Sequence, residues 1–219
     1  KIAVYEAFNE RDEARYIAEN AIKQNTIFNT SYNDMAVLYR TNAQSRSLEE
    51  GFMRAGVPYT MVGGLKFYDR KEIKDIMAYL KVIFNPADRV SLMRIINVPK
   101  RGLGTTTLNK INEFAAANNI GVFDAVSSTD DIPGLTTKAR TTLAAFSEFI
   151  FKMMAAQTDL PVHEFIQLVM DESGYMLELQ AEQKIENETR IENLKELLSV
   201  AGNFEKENEE NPSLENFLN

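Results

Sequence analysis

The chain has 219 residues, 44% of them apolar, a formal net charge of −8, no cysteine and a single histidine, His163. That length and apolar content suffice for one or two buried cores, while the missing cysteines exclude disulfides, thiolate metal centres and iron–sulfur clusters, and one histidine cannot assemble an imidazole metal site. No run of about 18 apolar residues offers a membrane span and no charged-then-apolar leader directs export, so a soluble, cytoplasmic protein is expected.

Residues 2 to 8, rich in Ile, Val, Tyr and Phe, read as a strand, and Asn9 opens a helix in which Ala14, Ile17, Ala18, Ala21 and Ile22 recur at helical spacing. Residues 25 to 33, rich in Asn, Thr and Ser, read as a loop before a second strand at residues 35 to 39. That strand stops abruptly at Tyr39 and Arg40, with Thr41 or Asn42 placed to cap the next helix, whose buried face is expected to carry Leu48, Phe52 and Met53 and whose end falls at Gly56. Residues 58 to 62 read as a third strand. Alternating strands and helices imply an α/β fold with a partial, parallel, doubly wound sheet. In such a sheet ligands bind beyond the carboxyl ends of the strands, which is where Tyr39 and Arg40 fall.

A flat amphipathic ring beside a planar, permanently charged fork suits a nucleotide: the ring stacks on a base and the fork holds a phosphate. The alternative is a tyrosine closing the strand against the core and an arginine in a surface ion pair. Gly63-Gly64 then breaks the third strand, and Lys66, Phe67, Arg70, Lys71 and Lys74 follow at once. Basic groups interleaved with aromatics are what single-stranded nucleic acid requires, because charge tracks the backbone while rings stack on bases. At least one of Phe67 and Tyr68 is expected in the core in any case.

Ile73, Ile76, Met77, Leu80 and Ile83 mark a helix from Glu72 to Phe84, ended by Asn85-Pro86, and a shorter helix follows at Ser91 to Asn97. Between it and a helix opening near Thr105 lies Val98-Pro99-Lys100-Arg101-Gly102-Leu103-Gly104, whose glycines permit close backbone approach and whose following helix aims amides at a phosphate. The polar, turn-rich residues 127 to 134 are the candidate domain boundary. Beyond them everything reads as helix, with core stripes at Leu143, Phe146, Phe149, Ile150 and Met153, at Phe165, Ile166, Val169 and Met170, and at Leu194, Leu197, Leu198 and Ala201. Ile132-Pro133-Gly134-Leu135 with Lys138 and Arg140 forms a second candidate phosphate hairpin, and His163 is assigned no role. Residues 212 to 219 read as a helix cut off soon after it starts.

Charge is unevenly placed along this order. Residues 38 to 110 carry 13 basic and 6 acidic side chains, whereas residues 111 to 219 carry 7 and 20. A local basic excess is the footprint of a polyanion site; chance clustering on solvated helices is the other reading.

Val37-Leu38-Tyr39-Arg40-Thr41-Asn42-Ala43-Gln44-Ser45-Arg46 resembles motif IV of the UvrD/PcrA/Rep group of superfamily 1 DNA helicases, and residues 63 to 75 resemble the next block of the same group, in the same order. The resemblance covers essentially all 219 residues and is strongest to PcrA-type members. It implies that residues 1–127 are the first segment of the second of two RecA-like domains, with a helix-hairpin-helix-like element near 91–117, and that residues 128–219 begin an inserted helical domain. On that match Tyr39 and Arg40 bind nucleotide, Tyr39 stacking on adenine and Arg40 acting as the catalytic arginine finger at the γ-phosphate. Thr41, Asn42, Lys66, Phe67 and Arg70 lie along DNA, as do Lys100, Arg101, Gly102, Gly104 and Thr105 in the hairpin.

The implied parent uses ATP and Mg²⁺, moves 3′ to 5′ on single-stranded DNA, unwinds duplex in repair or replication, and is bacterial and nucleoid-associated. Its partners are single-stranded DNA, single/double-strand junctions, the first RecA-like domain of the same polypeptide, and repair or transcription proteins, with no membrane. No G-x-x-x-x-G-K-[ST] phosphate loop and no acidic pair for magnesium occur in these 219 residues, so the chain alone is expected to hold no cofactor or metal and to hydrolyse no ATP. A different class remains open: a non-catalytic, acidic module that binds proteins or regulates a helicase or helicase–nuclease.

Overall fold

Asparagine side chains and left-handed turns set the first boundaries. Asn9 Oδ1 accepts from the amides of Arg11 and Asp12 at 3.1 and 2.9 Å and opens α1 (Glu10–Phe28), which Asn29 closes at φ 55°. The helix runs through residues 25 to 28, expected as loop, with Thr26 Oγ1 donating back to the Ile22 carbonyl at 2.9 Å. The computed structural model describes residues 2–41, 44–62, 64–182 and 184–219.

Two compact units are present, Lys1–Arg70 and Lys71–Asn219. In the first, α1 packs on α2 (Ser45–Ala55) through small residues. Gly51 sits so close to α1 that a Cβ there would lie 2.9 Å from Ala14 Cβ and 3.2 Å from the Ala14 carbonyl carbon. The buried face of α2 is polar, comprising Ser45, Arg46, Ser47 and Glu49, whereas Leu48 and Phe52 are half-buried and Met53 is 58% exposed. Helical periodicity locates a stripe but not which neighbour covers it, and here small residues of α1 and the Arg70 guanidinium lie against α2.

The expected parallel sheet is not formed. Among the described residues there is no strand, and helix dominates both units. Residues 2 to 8, 35 to 39 and 58 to 62 are extended or irregular, with Ile2, Val4, Phe8, Leu38 and Val62 each more than 90% exposed. Apolar content makes a run fit for a strand, but a strand exists only when a neighbour takes up its backbone groups and a layer covers its face. Among the described residues none of these three runs has a strand paired beside it.

The second unit is helical throughout: α3 (Lys71–Phe84), α4 (Arg89–Ile95), α5 (Thr105–Asn118), α6 (Val122–Ser127), α7 (Thr137–Ala156), α8 (Val162–Glu172), α9 (Tyr175–Ala181), α10 (Ile185–Glu207) and α11 (Leu214–Leu218). Its organising element is α3, which packs against α4, α7, α8, α10 and α11 and buries Ile73, Ile76, Tyr79, Leu80, Val82 and Ile83 completely. Helices α3 to α6 and α7 to α11 share this unit, joined across residues 128 to 136 by a 3₁₀ turn whose Ile132 is buried. The three downstream stripes are core: Leu143, Phe146, Ile150 and Met153; Phe165, Ile166, Val169 and Met170; Leu194, Leu197 and Ala201. Phe149 and Leu198 are half-buried. His163, in the first turn of α8, ties to α10 through Nδ1 at 2.7 Å from Glu205 Oε2. No helix among the described residues is long and apolar enough to cross a membrane.

Candidate nucleic-acid interface

In the first unit the Tyr39–Arg40 tip is shaped by a residue that sequence reasoning passed over. Gln44 Oε1 accepts from the backbone amides of Arg40 and Thr41 at 3.0 and 3.1 Å, so its side chain folds back over the tip just before α2. Among the described residues no side chain caps α2, and Thr41 does not take the capping role expected of it; Asn42, the other expected cap and DNA contact, lies outside the described residues. Tyr39 is half-buried, Arg40 is exposed, and among the described residues no ion pair engages the Arg40 guanidinium. A fork left in solvent beside a partly sheltered ring has the donors and the flat face that a nucleotide uses.

The segment that follows divides into exposed and buried groups. Lys66 is exposed, with Nζ 5.2 Å from the centroid of the Tyr59 ring. Phe67 is only 1% exposed, so its ring belongs to the core and offers no face to a base; Tyr68, 45% exposed and edge-on to Phe67, is the ring at the surface. Arg70 is buried too. Its Nη2 donates to Ser45 Oγ at 2.7 Å, Ser45 donates to Glu49 Oε1 at 3.0 Å, and that same carboxylate oxygen accepts from the Phe67 amide at 3.3 Å. Desolvation, then the Glu49 charge, pushes the Tyr59 phenol above its ordinary range. Arg70 is thus a core ion within the unit, and of the basic and aromatic side chains at 66–70 it is Lys66 and Tyr68 that face solvent.

In the second unit the 98–104 hairpin joins α4 to α5. The Val98–Pro99 peptide is cis and Gly102 has φ 76°, a conformation that a side chain would strain. Asn97 organises the turn: Oδ1 accepts from the amides of Arg101 and Leu103 at 2.9 and 3.2 Å, and Nδ2 donates to the Leu103 carbonyl at 2.9 Å. The Arg101 guanidinium faces inward, with Nη1 donating to the Ile95 carbonyl at 2.9 Å, Nη2 to Tyr79 Oη at 2.6 Å, and the fork 5.0 Å from the Phe146 ring centroid. Lys100, Gly102, Gly104 and Thr105 are exposed; Gly104 precedes α5, whose opening amides have no side-chain cap among the described residues. The Lys100 amide donates to Glu178 Oε1 at 3.2 Å.

The 129–136 turn is gripped in the same way. Arg140 donates to the carbonyls of Thr129 and Ile132 at 2.5 and 3.0 Å, and Lys110 donates to the Gly134 carbonyl. Lys138 is exposed. In both hairpins, then, the arginine that looks from sequence like a phosphate ligand is spent on backbone carbonyls.

Residues 1–219 match the UvrD-like helicase C-terminal domain. The chain belongs to that family. Over all 219 residues it is 49% identical to the ATP-dependent DNA helicase PcrA of Staphylococcus epidermidis and 47% identical to that of Staphylococcus aureus, and in each case it spans 30% of the relative's length.

Within this UvrD-like helicase C-terminal domain, Gln44, Asn97 and Tyr79 carry geometry that the sequence did not announce. For Asn97 the signal that could have found it is the residue type, since asparagine side chains bond to nearby backbone in turns. Tyr79 was hidden because it lies in the core stripe of α3, where an aromatic reads as packing; burial is what pushes its phenol upward and keeps its proton on the oxygen.

Proposed function

We propose that this chain is part of an ATP-dependent DNA helicase that moves 3′ to 5′ on single-stranded DNA and opens duplex ahead of it, in repair or replication in a bacterial cytoplasm. The observation that carries the reading is identity of 47–49% along the whole chain with proteins named ATP-dependent DNA helicase PcrA. ATP, with its magnesium, supplies the phosphoryl transfer that powers movement. Within this chain Tyr39 stacks on the adenine and Arg40 brings permanent positive charge to the γ-phosphate, a role suited to an exposed fork with no ion pair among the described residues.

DNA follows Lys66 and Tyr68 in one unit and Lys100 with the Gly102–Thr105 backbone in the other. These groups are exposed and are of the two kinds, cationic and aromatic or amide, that hold a polyanion without reading its sequence. The remainder of the polypeptide supplies the phosphate loop, the magnesium ligands and the other wall of the nucleotide site.

Fluorescence anisotropy of a 3′-tailed duplex, titrated with the chain across a salt series, tests the reading. Binding should weaken steeply with salt and the slope of log K against log[salt] should flatten by about two in a Lys66→Ala, Lys100→Ala double variant, because each phosphate neutralised contributes roughly 0.9. Absence of binding at low salt by folded chain would favour a protein-binding module, which the acidic balance of residues 111 to 219 also suits.

A further inference from the structure

The 98–104 hairpin is held by groups that are themselves turned away from any ligand. Tyr79 is fully buried in α3, yet its phenol donates to the Val98 carbonyl at 2.5 Å and accepts from Arg101 Nη2 at 2.6 Å. Arg101 Nη1 reaches the carbonyls of Ile95 at 2.9 Å and of Ile96 and Pro99 at 3.4 Å, two of which close the carboxyl end of α4 where orphan carbonyls and the helix dipole favour a cation. The Phe146 ring lies 5.0 Å from the guanidinium carbon. Asn97 uses both ends of its amide on the Arg101 and Leu103 backbone. Three side chains, one from α3 and two from the turn itself, therefore fix the hairpin from its inner side.

We propose that Tyr79, Asn97 and Arg101 are positioning residues, which hold the hairpin in the one form that presents Lys100 and the backbone opening α5 to a DNA phosphate. The inference rests on the DNA-binding reading above and changes its chemistry: the charge of Arg101 is spent on the protein, so what the arginine contributes is the planar fork. A lysine there would keep the charge and lose the arrangement, since an ammonium cannot span the Ile95 carbonyl and the Tyr79 oxygen with parallel donors. Tyr79 offers a cleaner case. It has no exposed surface, so any effect of its hydroxyl on DNA passes through the hairpin.

The test is anisotropy of a fluorescein-labelled 3′-tailed duplex over a salt series with the wild-type chain and its Tyr79→Phe, Arg101→Lys and Lys100→Ala variants, each checked by thermal melting. Tyr79→Phe and Arg101→Lys are expected to weaken binding at least fivefold with the salt slope unchanged, whereas Lys100→Ala flattens the slope by roughly 0.9. Wild-type affinity in Arg101→Lys would show that charge alone is needed and would overturn the proposal. So would wild-type affinity in a folded Tyr79→Phe chain; if that variant unfolds, Arg101→Lys decides. A wild-type chain that is folded and does not bind the duplex at low salt overturns the DNA reading itself, and the positioning role with it.

Discussion

Arg94 places its Nε 2.7 Å from Oδ1 of Asp75, joining α4 to a carboxylate that is 1% exposed in the core helix α3. The other oxygen of Asp75 accepts from Tyr175 Oη of α9 at 2.8 Å and from Lys71 Nζ at 3.2 Å. One buried anion thus links three helices, and burial together with that anion holds the Tyr175 phenol well above its ordinary range, keeping the donor protonated. Removing the carboxylate strands a buried phenol and a partly buried guanidinium. Asp75→Ala is therefore expected to cost about 3–5 kcal/mol, the range for breaking a buried pair from one side. Urea unfolding followed by circular dichroism measures it, and a cost under about 1 kcal/mol would show that the network is not a structural joint.

Acid sensitivity has a local source in Asp88. Its side chain caps α4, accepting from the Ser91 amide at 3.0 Å and from Ser91 Oγ at 2.6 Å, and these bonds to the charged form depress its carboxyl below the ordinary range. A depressed folded-state value means that the cap's ionic contribution is complete above the unfolded value near 3.9 and fades as pH falls through the lower, folded one. Asp88→Ala should cost about 1 kcal/mol at pH 7, the usual worth of such a cap. The gap between variant and wild type should then narrow below pH 4, measured by urea titration at a series of pH values. A gap that stays constant down to pH 2 would detach the cap from ionisation.

What the sequence disclosed and what it withheld divide along one physical line. Local signals were legible: the stripes of α3, α7, α8 and α10, the asparagine before α1, and Gly56 at φ 66° closing α2. Signals that need a partner were not. Residues 2 to 8 have strand composition without a strand among the described residues, because pairing is a property of two segments. Arg70 and Arg101 looked like ligands for phosphate because an arginine in sequence is only a charge, and its direction is decided by acceptors elsewhere, Ser45 for one and the Ile95 carbonyl for the other. Lys66, Lys100 and Arg40 remain at the surface, where a ligand could meet them.

The pair Phe67 and Tyr68 separates packing from binding. Phe67→Ala empties a core position that is 1% exposed and should cost about 3–5 kcal/mol. Tyr68→Ala, at a ring 45% exposed, should leave unfolding within about 1 kcal/mol of wild type while lowering affinity for single-stranded oligothymidine by the 1–3 kcal/mol that a stacked base typically contributes. Unfolding curves and anisotropy on the two variants give four values. Equal oligonucleotide affinity in wild type and Tyr68→Ala would remove this ring from the strand's path.

Arg40 yields the sharpest separation of catalysis from stability. The side chain is exposed and makes no ion pair among the described residues, while the backbone amide donates to Gln44 Oε1 at 3.0 Å. Arg40→Ala should therefore leave the unfolding free energy of this chain within about 0.5 kcal/mol. On the role proposed for it at the γ-phosphate, the same change in the full-length protein should lower DNA-stimulated ATP turnover by about 10³-fold or more. Arg40→Lys should recover little, because a point charge on a flexible stem does not reproduce the planar fork. Steady-state turnover of the three proteins at saturating ATP and DNA makes the comparison. Turnover within tenfold of wild type in Arg40→Ala would place the arginine outside the reaction, since an exposed cation that touched the γ-phosphate in the transition state could not be lost so cheaply.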